Sequence, residues 1–162
     1  MAEQGFSLVY GGGGRGLMGA RGGKVLGIMP EALINFEGSI HFGETIKVPD
    51  MHTRKRLMNE HSDAFICLPG GYGTMEELLE MTTWSQLSIH NKPIIAINLN
   101  GFFTPLKEFV MNAVKAGFIN EGCKDIIYYA ETPDEALAYL EKYKNPETKY
   151  RLNWQTSTEH IG

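Results

Sequence analysis

Short apolar runs bounded by Gly, Pro or Asp recur along the chain and alternate with longer stretches in which apolar residues return every three or four positions. Ser7 to Tyr10, Lys24 to Ile28, Thr45 to Val48, Ala64 to Leu68, Ile94 to Ile97 and Ile126 to Tyr129 read as strands. Met75 to Ile89 carries Met75, Leu78, Leu79, Thr82 and Leu87 at near-helical spacing, and Leu106, Phe109, Val110, Ala113 and Val114 repeat that pattern. Strands alternating with amphipathic helices predict an α/β fold, a Rossmann-like doubly wound parallel sheet in a single domain over residues 1–143. Thr104 before Pro105 predicts an N-cap with Pro at the first helical position, and Thr132-Pro133-Asp134-Glu135 predicts a capping box. The last helix should end near Tyr143. Residues 144–162 are polar and aperiodic, a tail expected to lie on the surface or on a partner subunit.

One connection is too short for this scheme. A parallel crossover takes about a dozen residues and usually contains a helix, yet Tyr10 to Lys24 is dominated by glycine and has no helical pattern. Residues are therefore expected to be absent near Ala20 to Gly22. Ala2 to Gly5 also reads as the end of a helix with none ahead of it, so the natural chain is expected to be longer.

The length of 162 residues suits one core, and a chain of that size buries roughly two-thirds of its unfolded surface. Hydrophobic residues make up 43% and charged residues 21%, and no apolar run approaches the roughly 18 residues of a membrane span. A net charge of -4 gives no electrostatic reason for nucleic-acid binding, so any phosphate partner should be small and locally held. Cys67 and Cys123 form neither a metal cluster nor a disulfide framework, and Met1 to Gly5 does not read as the start of a secretory signal. A cytoplasmic protein, bound to neither membrane nor nucleic acid, is the expectation.

Two glycine-rich turns carry the candidate chemistry. Gly11-Gly12-Gly13-Gly14-Arg15-Gly16-Leu17-Met18-Gly19 follows the first strand, and its last six residues match G-x-G-x-x-G. Glycine lets backbone N–H groups approach phosphate closely, and a helix N-terminus favours the negative charge. The dinucleotide fingerprint also wants an acid at the end of the second strand. Here that strand runs into Met29-Pro30 and Glu31 opens the next helix, which disfavours an NAD oxidoreductase. The other turn, Pro69-Gly70-Gly71-Tyr72-Gly73-Thr74-Met75-Glu76-Glu77, follows the strand Ala64 to Leu68. A helix beginning at Thr74 would aim several backbone amides at a phosphate on the C-terminal edge of the sheet. The same residues fit a second reading, in which Thr74 and Glu77 form a capping box and Glu76, Glu77 and Glu80 suit the helix dipole.

The run Pro69 to Glu77 resembles the PGGxGTxxE signature of the Lonely Guy family, formerly mislabelled as lysine decarboxylases. Gly11-Gly12-Gly13 with Gly16-Leu17-Met18-Gly19, then Gly27-Ile28-Met29-Pro30, then Asp50-Met51-His52-x-Arg54-Lys55 agree with it in order, so the similarity covers about Gly5 to Tyr143. The resemblance implies a phosphoribohydrolase that cleaves the N-glycosidic bond of adenine-type nucleoside 5′-monophosphates, cytokinin precursors among them, with no PLP, no metal and no other cofactor. It implies that Gly70, Gly71, Tyr72, Gly73 and Thr74 hold the 5′-phosphate, with Glu76 beside them. It makes Arg54 and Glu77 the catalytic pair, with Lys55 and Thr83 lining the substrate site. Gly11, Gly12 and Gly13 join the phosphate-binding set, and Glu37 falls where the family places a further substrate-binding acid. A homodimer is implied as well, and Trp84 on the Met75 to Ile89 helix reads either as a core residue or as a contact for it.

Spacing bears on Arg54 separately. If Asp50 caps a helix, Met51, Arg54, Lys55 and Met58 fall within about 100° on a 3.6-residue wheel, while Arg56 points away. A guanidinium on that apolar side is costly unless it meets a carboxylate or phosphate. Lys55, at the edge of the stripe, can reach water along its own stem. His52, His61 and His90 lack metal-ligand spacing and read as structural residues. The rival from another class is a non-catalytic nucleotide or molybdenum-cofactor binding module, which would need the phosphate cradle but not both Arg54 and Glu77.

Overall fold

The computed structural model describes residues 5–12, 24–34, 43–145, 150, 152 and 154, and the backbone of residues 35–37. The chain divides into two compact units, Met1–Asp63 and Ala64–Gly162.

In the first unit, β1 (Leu8–Tyr10), β2 (Val25–Pro30) and β3 (Glu44–Val48) form a parallel sheet in the order β1-β2-β3. The register pairs Leu8 with Val25 and Leu26 with Glu44. Helix α1 (Glu31–Glu37) makes the crossover from β2 to β3, and α2 (Met51–His61) packs against all three strands. Gly27 in β2 lets the neighbouring chain come close, because a Cβ there would meet Thr45 Oγ1 at 3.2 Å and the Gly12 Cα at 3.4 Å. The parallel pairing of β1 with β2 is as the strand pattern predicts, and the crossover that joins them falls largely in residues 13–23, outside the described residues.

The second unit holds β4 (Phe65–Cys67), β5 (Ile94–Ile97) and β6 (Ile127–Ala130), again parallel and in sequence order. Helices α3 (Tyr72–Gln86) and α4 (Thr104–Lys115) make the crossovers, and α5 (Pro133–Lys142) follows β6. All four residues of β5 are buried, and the strand's alternation sends them to two cores. Ile94 and Ala96 pack with Leu78, Met81 and Phe103, while Ile95 and Ile97 pack with Ala130 and Ala136. Both faces of the sheet are covered. This is why β5 reads as an unbroken apolar run and not as an alternating one.

The parallel α/β class and all six strands match the sequence pattern, with bounds differing by one or two residues. Two helix starts do not. The helix over Thr104 to Lys115 has Phe103 as its N-cap, with no side-chain cap bond and Pro105 in its first two positions, so Thr104 is already helical. Helix α3 begins at Tyr72, two residues before Thr74, and ends at Gln86. Its first turn needs no capping side chain, because Gly71 takes the cap position in extended conformation, and the helix can therefore start inside the glycine run. The cap at Thr132 is as expected: its hydroxyl accepts from the Glu135 amide at 3.2 Å. The Glu135 carboxylate accepts from the Glu131 amide and the Tyr128 hydroxyl.

The chain beyond α5 touches the end of α3. The Tyr150 amide donates to the Gln86 carbonyl at 3.2 Å, the Trp154 indole donates to the Leu87 carbonyl at 2.9 Å, and the Ser88 hydroxyl donates to the Tyr150 carbonyl.

Candidate active site

In the first unit the site residues are fixed by the start of α2. Asp50 caps this helix, its carboxylate accepting from the Thr53 amide at 2.7 Å and the Thr53 hydroxyl at 3.0 Å. The Thr53 amide is the largest cause holding the Asp50 carboxyl below the usual carboxylate range. A helix started there turns Arg54 and Lys55 inward, 9% and 6% exposed, and leaves Arg56 outside, where it pairs with Glu60 at 2.6 Å. The inward placement of Arg54 is as the helical wheel predicts. Lys55 does not run out to water from the edge of the stripe: it is buried too. The Arg54 Nη1 donates to Met51 Sδ at 3.6 Å.

Gly11 and Gly12 follow β1 directly and are buried. Both are needed by the protein itself. Gly12 has φ +79°, the left-handed region, and a Cβ on it would meet Met29 Cβ at 3.0 Å. A Cβ on Gly11 would overlap the Arg54 Nη2 and lie 2.9 Å from its Cζ. Gly13 lies outside the described residues, as do Gly14 to Gly19 and the side chain of Glu37, whose backbone closes α1.

The second unit carries the other turn. Pro69 and Gly70 leave β4, Gly71 caps α3, and Gly73 and Thr74 sit in its first turn. Thr74 folds back over Gly70, where a Cβ would overlap its Oγ1. Gly71 and Gly73 are different: neither has positive φ, and a Cβ on either would meet nothing within 4 Å. Among the described residues, neither backbone strain nor packing demands glycine at these two positions, and both are exposed.

The start of α3 at Tyr72 overturns the capping-box reading of Glu77. Thr74 is the third helical residue and caps nothing, so Glu77 has no box to close. Glu77 is half-buried, and it acts on Cys67, whose thiol is pushed up to about 12, chiefly by burial and then by the negative charge of Glu77. Cys67 is the neighbour that sequence reasoning passed over. It ends β4, and a residue one turn into the helix that follows a βα turn returns toward the strand end.

Helix α3 has two stripes. Leu78, Met81 and Ser85 face the core, while Tyr72, Glu76, Leu79 and Thr83 are exposed, Tyr72 98% so. The candidate site residues Tyr72, Glu76 and Thr83 thus share one outward face, although the Thr83 hydroxyl is engaged by the Leu79 carbonyl at 2.9 Å. Trp84 packs on the core beside Leu78 and Met81, the first of its two readings, while Leu79 and Tyr72 are exposed apolar residues on the same helix.

His90 is structural. Its Nδ1 accepts from the Lys92 amide at 3.2 Å, which leaves Nε2 to donate to the Met81 carbonyl at 3.0 Å, and both ring nitrogens are thereby used. Among the described residues no three His, Cys, Asp or Glu side chains are gathered to hold a metal ion, and no helix is long and apolar enough to cross a membrane.

Open α/β folds bind their ligands at the C-terminal edge of the sheet, and the glycine turn after β4, with Glu77 one helical turn further on, lies at such an edge. Residues 13–140 match the family described as "Possible lysine decarboxylase". The chain is 46% identical over 167 positions to the probable cytokinin riboside 5′-monophosphate phosphoribohydrolase LOGL1 of Oryza sativa subsp. japonica, covering 97% of this chain and 75% of that one. It is 45% identical to the phosphoribohydrolase LOG of the same plant, over 99% of this chain and 69% of that one. With LOG3 of Arabidopsis thaliana the identity is 46%, over 100% and 79%. The chain belongs to this family, whose Lonely Guy members bear the phosphoribohydrolase name. The LOG3 alignment runs over 172 positions against 162 residues, so the relative has residues with no counterpart here.

Proposed function

We propose that the protein hydrolyses the N-glycosidic bond of adenine-type nucleoside 5′-monophosphates, cytokinin riboside monophosphates included, releasing the free base and ribose 5-phosphate. The observation that carries this reading is the near-full-length identity to proteins named for that reaction. Breaking the C1′–N9 bond builds positive charge on the ribose and negative charge on the departing base, and preorganised opposite charges are the largest lever on such a barrier. Glu77 is the proposed carboxylate for the oxocarbenium-like centre, as in glycoside hydrolysis. Arg54 is the proposed cation for the substrate's oxygens. The exposed backbone at Gly71 and Gly73 is the proposed phosphate cradle, with Gly70, Tyr72, Thr74, Glu76, Lys55, Thr83, Glu37 and Gly13 in the proposed substrate set, while Gly11 and Gly12 serve by making room for Arg54 and Met29.

The remaining parts of the proposal concern the whole molecule. Residues 1–143 act as one catalytic domain with residues 144–162 as its tail, the protein works in the cytoplasm without a cofactor, and it forms a homodimer. The exposed apolar side chains of Tyr72 and Leu79 on α3 support a second copy as the partner. The decisive experiment incubates the protein with adenosine monophosphate, isopentenyladenosine monophosphate and the corresponding nucleosides, and separates base from ribose 5-phosphate. Release from the nucleotides with poor release from the nucleosides is expected, since binding energy from the phosphate positions the reacting centre. Equal kcat/KM for nucleoside and nucleotide would remove the cradle, and no release from any of them would remove the reaction.

A further inference from the structure

We propose that Gly11 is a positioning residue for Arg54, a reading that rests on the role in the reaction proposed above for Arg54. The glycine is there so that the guanidinium can occupy the space a side chain would take as the chain leaves β1. A Cβ at this position would overlap Nη2, with Cζ at 2.9 Å and Nε at 3.4 Å, so the head group occupies the place of the missing side chain. On its other side Nη1 reaches Met51 Sδ at 3.6 Å. The base of the side chain is fixed independently, because the Arg54 amide donates to the Asp50 carbonyl at 3.2 Å within the capped first turn of α2. Gly11 and Met51 therefore hold the head of a side chain whose root the helix already holds.

Backbone conformation does not demand glycine at this position. Gly11 is not in the left-handed region, unlike Gly12 beside it, so alanine is allowed by the backbone. The nearest three atoms to its absent side chain all belong to one guanidinium, the movable end of a flexible side chain. Alanine would displace that head group and leave the strand and helix in place. A reacting group displaced by about 1 Å costs on the order of a hundredfold in rate, so the loss should appear in turnover and not in folding.

The test is a double-mutant cycle of Gly11→Ala and Arg54→Ala, read by steady-state kinetics on the nucleotide and by the Arg54 Nε–H resonance. That resonance is assigned by its loss in Arg54→Ala. Gly11→Ala should lower kcat by roughly tenfold or more with KM changed less than about threefold. In the Arg54→Ala background the same alanine should change kcat by less than about twofold, because the group it displaces is gone. The Nε–H resonance should shift in Gly11→Ala. Equal fold-losses in both backgrounds, or a loss carried by KM in both, would overturn the proposal and make Gly11 a direct phosphate contact. An unmoved Nε–H resonance would overturn it as well. If Gly11→Ala does not fold, a folded Gly11→Ala/Arg54→Ala protein supports the proposal and an unfolded one overturns it. Full activity of Arg54→Ala would overturn the role of Arg54 in the reaction and Gly11's part in it, a failure told apart from a wrong geometry by the resonance.

Discussion

Two glycine turns leave two parallel strands, and the protein uses them in opposite ways. After β1, the space beside Gly11 is filled by Arg54 and that beside Gly12 by Met29, and Gly12 has positive φ besides. After β4, only Gly70 is filled from within, by Thr74, while Gly71 and Gly73 look onto open space with ordinary backbone angles. A glycine-rich string therefore does not mean one thing. At Gly11 and Gly12 the missing side chain makes room for the protein, and at Gly71 and Gly73 no described residue takes that room. The second turn has a long helix behind it, so an anion bound there would be favoured by the helix dipole.

The largest effect that sharpens this comparison is expected at Glu77, one helical turn beyond the open glycines. Glu77→Gln keeps the shape and removes the charge, and it should lower kcat by roughly a hundredfold or more, with nucleotide binding and melting temperature nearly unchanged. Turnover above about a third of the original, less than about 1 kcal/mol in the barrier, would move the catalytic carboxylate to Glu76, Glu80 or Glu37.

Alanine at the glycines themselves comes next. Gly71→Ala and Gly73→Ala should each raise KM for the nucleotide by about tenfold, on the order of one lost hydrogen bond, while stability changes by less than about 1 kcal/mol. Gly12→Ala should do the reverse, costing about 1–2 kcal/mol for the left-handed backbone, read as a lower Tm. If the two patterns were exchanged, with Gly71 controlling stability and Gly12 controlling KM, the distinction between the turns would be lost.

How much of this was legible in the sequence differs between fold and site. The strands were legible because each is an apolar run ended by a breaking residue, and Asp50 and Thr132 announced their helices by cap chemistry. The inward turn of Arg54 followed from the position of Asp50 and the stripe that Arg54 shares with Met51 and Met58. Thr74 misled because a Thr three residues before a Glu looks like a capping box, whereas glycine at the cap position can begin a helix without advertising it. The partners of Gly11 and Cys67 were not legible. Gly11 meets Arg54, distant in sequence, about which single-sequence periodicity carries no information, and the bearing of Glu77 on Cys67 depends on the start of α3 at Tyr72, which the glycine run conceals. Lys55 was placed at the edge of its stripe and is buried, because three strands pack against α2 and cover more than a narrow stripe.

The smallest expected effect tests the surroundings of Glu77 without measuring catalysis. The Cys67 thiol is pushed up to about 12 from an ordinary value of 9.0, first by burial and second by the Glu77 charge. A thiol raised in this way stays protonated in the folded protein, while the unfolded chain begins to lose the proton near pH 9. The folded state is therefore favoured fully below that pH and loses this advantage as pH rises above it. Alkylation follows the thiolate, so native Cys67 should label slowly with iodoacetamide at pH 8, and peptide mass mapping separates it from Cys123. Glu77→Gln removes the second cause and leaves the first, so labelling should quicken only modestly, by about two- to threefold. A rate equal to the unsubstituted protein would mean that the Glu77 carboxylate does not bear on the end of β4. A rate like that of a free thiol would mean that the substitution had opened the strand end, and the loss of turnover in Glu77→Gln would then have to be assigned to a displaced turn and not to a missing charge.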